Sequence, residues 1–580
     1  MKDTANANCR ELLDVLIAHG IRDIVASPGS RNTPLLIGAS VRDELKTHLV
    51  NDERTAGFIA LGMAISRQRP VALICTSGTA LYNYAPAIAE AYYQRIPLIV
   101  ISADRPSQWI DQDDSQTLHQ YEALDKIMKR SYDISAETGM SVKCRNKEYA
   151  TEREWYVNRI ANEAVLISMQ NPPGPVHINM QFAEPLNGLV EYEKRSGRII
   201  RVIKNNNGLP PHQLKEISEY LLSKRIMVVA GYMPPDDKLN SALAEFTKLQ
   251  NVTLLCETIS NIHLDGNPYM IDSLLVDMNE DERASMAPDI IISIGGALVS
   301  RMLKEYLRSA DRAEHWTLSD TPLSVDCFQR LSTHLDVAPA RFFKGISGMC
   351  RHLLRKGYDK PIPDYREQWA LARKKSKAKQ RKQLKNSGWS EYTALAEIFK
   401  TIPLSYNLFL SNGTCVRYAQ LLMDRLPHAC YSNRGVSGID GTNATAAGIS
   451  NSYNGTTLLL TGDVSFGYCT EILNRKITEG DLRIVVINNS GGGIFRFIKT
   501  TRELEQREEY FCSAPHLPIE GIAHAYERPY MKVRNAGELR SGIEFLYSTP
   551  HSIIEIEVEP TQSAETLIEI LTPRNNNRNV

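Results

Sequence analysis

No stretch of this chain is apolar over anything near the ~20 residues that a membrane-crossing helix requires. Runs such as PLIVISA, at 97–103, break off early. No two of its ten cysteines form a C-x-x-C pair, so the usual short signatures of zinc binding and redox exchange are absent. Scattered thiols of this kind read as reduced, mostly buried side chains of a cytoplasmic protein. There is no net charge, with Lys+Arg and Asp+Glu both at 67, which removes the electrostatic ground for a nucleic-acid or strongly acidic partner. The opening stretch MKDTANANCRELLDVL is polar and then helical. It lacks the apolar segment of a secretory leader, and neither leader nor membrane anchor is expected.

What is present is a soluble, globular composition, 43% hydrophobic and 23% charged over 580 residues, long enough for about three or four domains. The first ~190 residues alternate short apolar runs with helical patterns: DIVAS, THLV, VALICTS and PLIVISA, with NPPGPVHINM as a turn and closing strand. That alternation predicts a parallel sheet covered by helices. A polar stretch at 191–207 reads as a linker. The pattern restarts with RIMVVAG, VTLLCET, DIIISIGG and HWTLS, then SIGGALVSRMLKEYL as strand, glycine turn and a helix carrying Arg301. A basic run, RKKSKAKQRKQLK, has eight Lys or Arg among thirteen residues; in a neutral chain it reads as an exposed linker helix. A third block follows through YNLFLSNG, ACYSNRG, TTLLLTGD, LRIVVINN and HSIIEIEV. The expected fold class is α/β, with three doubly wound parallel-sheet domains. The expected bounds are 1–190, 191–365, a basic linker helix at 366–388, and 389–580. The blocks share no repeat that aligns by eye, and the tail PRNNNRNV has the composition of a disordered end.

In GDVSFGYCTEILNRKITEGDLRIVVINNSGGG, two apolar runs end in Gly462-Asp463 and in Asn488-Asn489-Ser490-Gly491, with 24 residues between Asp463 and Asn488. Ligands of parallel sheets bind beyond the carboxyl ends of the strands. Asp and Asn oxygens there are hard donors suited to Mg²⁺, and glycines let the main chain approach a phosphate. A pair of ordinary strand-end turns is the plain alternative. In SPGSRNTPL, a Pro28-Gly29 turn sets Ser30 and Arg31 just before a helix start, offering N–H groups, a hydroxyl and a guanidinium to an anion; a capped helix with a surface arginine is the alternative. SADRP sets Arg105 at another strand end, while SNGTCVR and YSNRGVSGIDG carry Arg417 and Arg434.

The Gly-Asp to Asn-Asn spacing resembles the signature of the thiamine diphosphate-dependent enzymes. That resemblance implies three α/β domains, pyrimidine-binding, central and diphosphate-binding, over nearly the whole chain. It implies thiamine diphosphate as cofactor, with Mg²⁺ or Mn²⁺ held by Asp463, the side chain of Asn489 and the carbonyl of Gly491. It also implies a catalytic glutamate against the aminopyrimidine ring. Glu53, in THLVNDERTAGF, is at a suitable strand end, with Asp52 as its rival and helix-opening as the plain role for either. Cofactor contacts are implied for Pro28, Asn412, Gly413, Ile439, Gly462, Val464 and Ser465. Val464-Ser465 departs from the commonest form, which has a second glycine there. Sites shared between subunits, hence a homodimer or homotetramer, are implied as well.

Within that family, SPGSRNTPL, NDERTAGFIALGMA, TSGTA, SADRP, SNRGVSGIDG, GDVSF and NNSGGGIF together resemble the carboligating synthases of menaquinone biosynthesis. This implies decarboxylation of 2-oxoglutarate and conjugate addition of the succinyl unit to isochorismate, two carboxylate-rich substrates that suit several arginines. Carried over residue by residue, Arg417 and Arg434 hold the succinyl side. Ser30, Arg31, Arg105, Ser115, Gln116 and Arg301 hold isochorismate; Ser115 stands where related sequences often have Asn. Ile494 and Phe495 form an apolar wall, and Ile439 wedges the cofactor into its bent form. Another thiamine diphosphate-dependent 2-oxoacid decarboxylase or carboligase, and a catalytically silent subunit of the same fold, are the competing readings.

Overall fold

The computed structural model describes residues 2–136, 151–195, 197–203, 208–264, 266, 269–358, 362–512 and 517–572. The PRNNNRNV tail lies outside the described residues. Three sheets dominate. The first lies in the spatial order Lys46–Leu49, Asp23–Ala26, Val71–Cys75, Leu98–Asp104, Val176–Gln181 and Ser131–Ile134, every pair parallel. The second runs Val252–Cys256, Ile226–Ala230, Ile290–Ile294, Glu314–Leu318 and Leu331–Leu335, again parallel throughout. The third runs Ala429–Tyr431, Asn407–Leu410, Thr457–Gly462, Leu482–Asn488, Ile553–Glu557 and Tyr530–Val533. A short antiparallel pair, Lys2–Thr4 with Leu189–Glu191, stands apart. The expected α/β class and its three parallel-sheet domains are what the structure contains.

Counted in chain order within each sheet, the first and third share the strand order 2-1-3-4-6-5, and the second runs 2-1-3-4-5. The sequence blocks show no alignable repeat, yet the backbone repeats. In each sheet the winding reverses between strands 1 and 3, the switch point outside which ligands of such sheets bind.

The central strands are the apolar runs read from the sequence. Within these three sheets the strands not foreseen, Ser131–Ile134, Leu331–Leu335 and Tyr530–Val533, are all at sheet edges and only partly buried. An edge strand with one solvated side needs no continuous apolar run. The basic run also differs from expectation. It forms the helix Tyr365–Asn386, but Tyr365, Trp369, Ser376 and Gln380 are buried along one face, and Arg373 donates to the Leu254 carbonyl at 2.6 Å. Its lysines occupy the other faces, where Lys377 pairs with Asp424 and Lys375 with Glu282. The helix is therefore seated on one side rather than exposed all round.

Contacts divide the chain into two compact units. One comprises Met1–Lys204, Asn433–Asn454 and Tyr468–Leu482; the other comprises Asn205–Ser432, Gly455–Gly467 and Arg483–Val580. In the first, helices Ala7–Ala18 and Glu152–Met169 cover Ile24, Ile74, Ile99 and Ile178, each such burial contributing about 1.5–3 kcal/mol of transfer free energy. Helix Glu53–Arg67 is buried at every position from Thr55 to Ile65. It crosses helix Thr442–Asn451 at two glycines. A Cβ on Gly62 would fall on the Thr445 carbonyl, and one on Gly448 on the Ile59 carbonyl. Main chain meets main chain there, and no side chain fits.

Among the described residues no helix is long and apolar enough to cross a membrane, and the nine described cysteines are all free thiols.

Gly448→Ala should destabilise the protein by about 1–3 kcal/mol through overpacking, read from the denaturant midpoint of unfolding. Gly348→Ala, in helix Pro339–Arg355 with nothing within 4 Å of the added methyl, should be neutral or stabilising by about 0.5–1 kcal/mol. Equal midpoints for the two variants would contradict the crossing as described.

Candidate active site

At the switch point of the first sheet, strand Asp23–Ala26 ends in Ser27-Pro28-Gly29 and strand Val71–Cys75 in Thr76. The two turns touch: a Cβ on Gly29 would strike the Thr76 side chain, and the Arg31 N–H donates to Thr76 Oγ1 at 3.3 Å. Asn32 closes the Pro-Gly turn, accepting from Gly29 N at 3.0 Å and donating to the Ser27 carbonyl at 2.9 Å. Helix Thr33–Ser40 then begins where the sequence predicts it. Pro28 and Ser30 are exposed at the tip. Arg31 is not on the surface: it is 5% exposed, donates to the Phe182 carbonyl at 3.0 Å and pairs with Glu184 at 3.2 Å. Burial, then the nearby charge of Arg105, lowers its pKa.

At the next strand end the two neighbouring acids differ. Asp52 is the N-cap of helix Glu53–Arg67, its Oδ2 accepting from Thr55 N at 3.1 Å and Thr55 Oγ1 at 2.6 Å. A capping carboxylate is committed to the helix. Glu53, one residue on, is half-buried, and its carboxylate makes no hydrogen bond among the described residues. Its charge reaches Cys75, where burial and then Glu53 push the thiol up.

Arg105 follows strand Leu98–Asp104 and pairs with Asp114 at 2.6 Å. Asp114 also accepts from Ser115 N at 2.8 Å. Gln116, at φ +54°, lies with its main chain against Gly78 of the TSGTA turn. Ser115 and Gln116 are exposed. Behind them Asp104 is buried, accepting from Arg105 N at 2.8 Å and Asn179 Nδ2 at 2.9 Å, and burial raises its pKa to about 6. The first unit also contains the loop with Arg434 and Ile439, both half-buried, ahead of helix Thr442–Asn451.

In the second unit, strand Asn407–Leu410 ends in Ser411-Asn412-Gly413 and strand Thr457–Gly462 in Asp463. Asn412 is buried, and Ser411 Oγ donates to Ser465 Oγ at 3.1 Å across the switch point. Gly413 has φ +97°, and the space a Cβ would fill on Gly413 and on Gly462 is open. Asp463 Oδ1 accepts from Val464 N at 2.8 Å and Oδ2 from Gly491 N at 2.7 Å. Burial raises the Asp463 pKa, and these N–H groups pull it back. Asn489 Nδ2 donates to the buried Glu391 at 2.5 Å, which leaves its Oδ1 without a hydrogen bond among the described residues. The Gly491 carbonyl accepts from Arg496 Nη1 at 2.8 Å, and a carbonyl oxygen keeps a second lone pair. One carboxylate, one amide oxygen and one carbonyl oxygen beside an open glycine cradle fit a small hard cation that carries a diphosphate. Among the described residues no group of three or more His, Cys, Asp or Glu could hold a metal.

Ile494 and Phe495 are half-buried on helix Gly493–Phe497, with the Phe495 ring 5.5 Å from that of Phe511. Arg417, half-buried on helix Thr414–Leu422, has its pKa lowered by burial, raised by Asp272 and lowered by Arg301, so these three charges are neighbours. Arg301 opens helix Arg301–Arg308, pairs with Glu305 at 2.9 Å, and lines a cavity of about 420 Å³ with Ile498, Lys499 and Leu504. A larger cavity of about 650 Å³ beside Arg341, Lys344 and His352 shares no residue with these sites.

Sequence reasoning missed the partners: Glu184, Asp114, Asp272, Arg496 and Glu391. Ser390-Glu391 signals a helix start by its capping box, but no local pattern says that Glu391 meets an asparagine 98 residues away.

Residues 10–123 match the model of the thiamine pyrophosphate enzyme N-terminal TPP binding domain. Curated proteins named 2-succinyl-5-enolpyruvyl-6-hydroxy-3-cyclohexene-1-carboxylate synthase resemble the chain almost end to end. The one from Porphyromonas gingivalis is 38% identical over 94% of this chain and 93% of its own length. Those from Cytophaga hutchinsonii and Desulfotalea psychrophila are each 34% identical, over 96% of this chain and over 96% and 99% of their own lengths. Identity of this extent, on three parallel sheets with polar turns at their switch points, shows that the chain belongs to the 2-succinyl-5-enolpyruvyl-6-hydroxy-3-cyclohexene-1-carboxylate synthase family of thiamine pyrophosphate enzymes.

Proposed function

We propose that this chain joins 2-oxoglutarate, with loss of CO₂, to isochorismate, forming 2-succinyl-5-enolpyruvyl-6-hydroxy-3-cyclohexene-1-carboxylate for menaquinone biosynthesis. The observation that carries the reading is a pair of strand-end sites: an unpartnered carboxylate, Glu53, beyond the strand that flanks one switch point, and oxygen donors beside open glycines at the other. Residues 1–190 are assigned to pyrimidine binding, 191–365 to a central domain, 366–388 to the basic helix, and 389–580 to diphosphate binding. A cytoplasmic homodimer or homotetramer, with sites shared between subunits, is part of the same proposal.

Thiamine diphosphate, when bound, supplies the electron sink for decarboxylation. Asp463, Asn489 Oδ1 and the Gly491 carbonyl would hold Mg²⁺ or Mn²⁺ on its diphosphate, with Asn412, Gly413, Gly462, Val464 and Ser465 lining the cradle. Pro28 and Ile439 would contact the rest of the cofactor. Glu53 would hold a proton at its carboxyl for the aminopyrimidine ring, a task that requires a carboxyl not already spent on a cap. Arg417 and Arg434 would bind the carboxylates of 2-oxoglutarate, and Ser30, Arg31, Arg105, Ser115, Gln116 and Arg301 those of isochorismate. Asp114 and Glu184 keep Arg105 and Arg31 paired until substrate carboxylates take over. Ile494 and Phe495 would exclude water from the reacting carbons.

The direct test supplies purified protein with thiamine diphosphate, Mg²⁺ and 2-oxoglutarate, with and without isochorismate. Isochorismate-dependent consumption of both is expected; release of CO₂ indifferent to isochorismate would point to a simple decarboxylase. Glu53→Gln should lower kcat by about 10²–10⁴-fold with the fold and cofactor affinity retained, and unchanged turnover would remove Glu53 from the chemistry. Glu391→Ala should weaken Mn²⁺ binding, followed by electron paramagnetic resonance, by about 10–100-fold. Glu391→Gln still accepts from Asn489 and should stay near wild type; identical affinities for the alanine variant and wild type would show that Asn489 needs no such support.

A further inference from the structure

Two buried glutamates outside these sites grip main chain in the same way. Glu90, on helix Ala85–Gln94, is fully buried. Its Oε1 accepts from Gly435 N at 2.6 Å and its Oε2 from Val436 N at 2.8 Å. The loop lies flat on the helix, since a Cβ on Gly435 would strike the Glu90 carbonyl. The residue before this pair is Arg434. In the other unit, Glu257 follows strand Val252–Cys256 and is also fully buried. Its Oε2 accepts from Val299 N at 2.8 Å and its Oε1 from Ser300 N at 2.7 Å. The residue after that pair is Arg301.

In each case one carboxylate forks over two successive N–H groups, a concave anion-binding arrangement filled here by the protein's own side chain. Hydrogen bonds to an ionised acceptor are roughly twice as strong as neutral ones, and a buried carboxylate without them would be costly. The clamp at Glu257 is reinforced. Ser300 Oγ caps the Arg301 helix by accepting from Leu303 N at 2.9 Å and hydrogen-bonds Asp272, which neighbours Arg417. Gln420, on the helix that carries Arg417, accepts from Thr258 N at 3.1 Å, directly beside Glu257. The Arg301 side chain is 79% exposed and pairs with the exposed Glu305, so what the clamp orders in advance is its backbone. An arginine whose main chain is fixed loses less freedom on meeting a carboxylate than one on a mobile loop.

We propose that Glu90 and Glu257 are positioning residues for the substrate arginines, holding the main chain beside Arg434 and beside Arg301 so that each guanidinium is presented to a substrate carboxylate. This rests on the substrate assignment above. Glutamine at either position accepts one N–H and turns its own NH₂ toward the other. In the full-length protein loaded with thiamine diphosphate and Mg²⁺, Glu90→Gln should raise KM for 2-oxoglutarate about tenfold, leaving KM for isochorismate within about twofold. Glu257→Gln should raise KM for isochorismate about tenfold and, because Glu257 also neighbours Arg417, KM for 2-oxoglutarate by a smaller factor. Unchanged KM values, or equal shifts for both substrates in both variants, would overturn the proposal.

Amide hydrogen exchange tests the clamps apart from the reaction. In the wild-type protein Gly435, Val436, Val299 and Ser300 should be protected although Val436 is 48% exposed, and in each variant its own pair should exchange about tenfold faster at an unchanged melting temperature. Fast exchange of these amides in the wild type would overturn the proposal even if neither variant folds. Absence of isochorismate turnover by the wild type, with the four amides protected, would discard the substrate assignment and leave the clamps standing.

Discussion

A carboxylate taken out of water is tolerated only where N–H groups or cations replace its hydration, and much of this molecule is arranged around that requirement. Asp463, Glu90 and Glu257 are each buried, and each is satisfied by main-chain N–H groups of a loop beyond a strand end. Glu391, also buried, accepts from the side-chain amide of Asn489 at one of its two oxygens. The carboxylate gains its donors and the loop gains a fixed shape. Loops at the carboxyl ends of parallel strands are where ligands bind, and they are also the parts of such a fold least constrained by the sheet itself. Anchoring them from below with buried acids gives them the order that strands have from their ladders.

The recurring strand order adds to this. Two sheets with the order 2-1-3-4-6-5 offer equivalent crevices at their switch points, and the side chains there divide the work. Beside one crevice stands Glu53, whose carboxylate has no hydrogen bond while its neighbour Asp52 caps the helix. The other has oxygen donors at strand ends that carry glycines whose Cβ space is empty. The backbone is shared, and a few residues at the turns decide what each crevice can hold.

Much of this was legible in the sequence, for physical reasons. Central strands of a parallel sheet are buried on both faces, so VALIC, LIVIS and LRIVVI announce themselves as apolar runs. Strand-end turns are legible because Gly, Asp and Asn cluster there. Edge strands such as Ser131–Ile134 are half-solvated and carry no such mark. The arginines at 31, 105, 301, 417 and 434 were visible as residue types, but not their partners: Arg31 is buried against Glu184 and the Phe182 carbonyl, and neither was signalled in the sequence. A lone glutamate in a helix, such as Glu90, has no local signal at all, because its partner, Gly435, is 345 residues away. The basic helix misleads in the opposite sense: its charge is conspicuous, while the buried face of Tyr365, Trp369, Ser376 and Gln380 is hidden between lysines.

The most direct test of the central claim, that buried acids shape a strand-end turn into a metal-diphosphate site, is calorimetric titration of the metal-free protein with thiamine diphosphate, once with Mg²⁺ and once with excess chelator. The account predicts tight binding with Mg²⁺, and at least about a 100-fold loss in chelator, with Asp463→Ala losing the Mg²⁺-dependent gain. Equal affinity in both titrations would contradict it, because the cofactor would then be held without the oxygen donors that the turn is built to present.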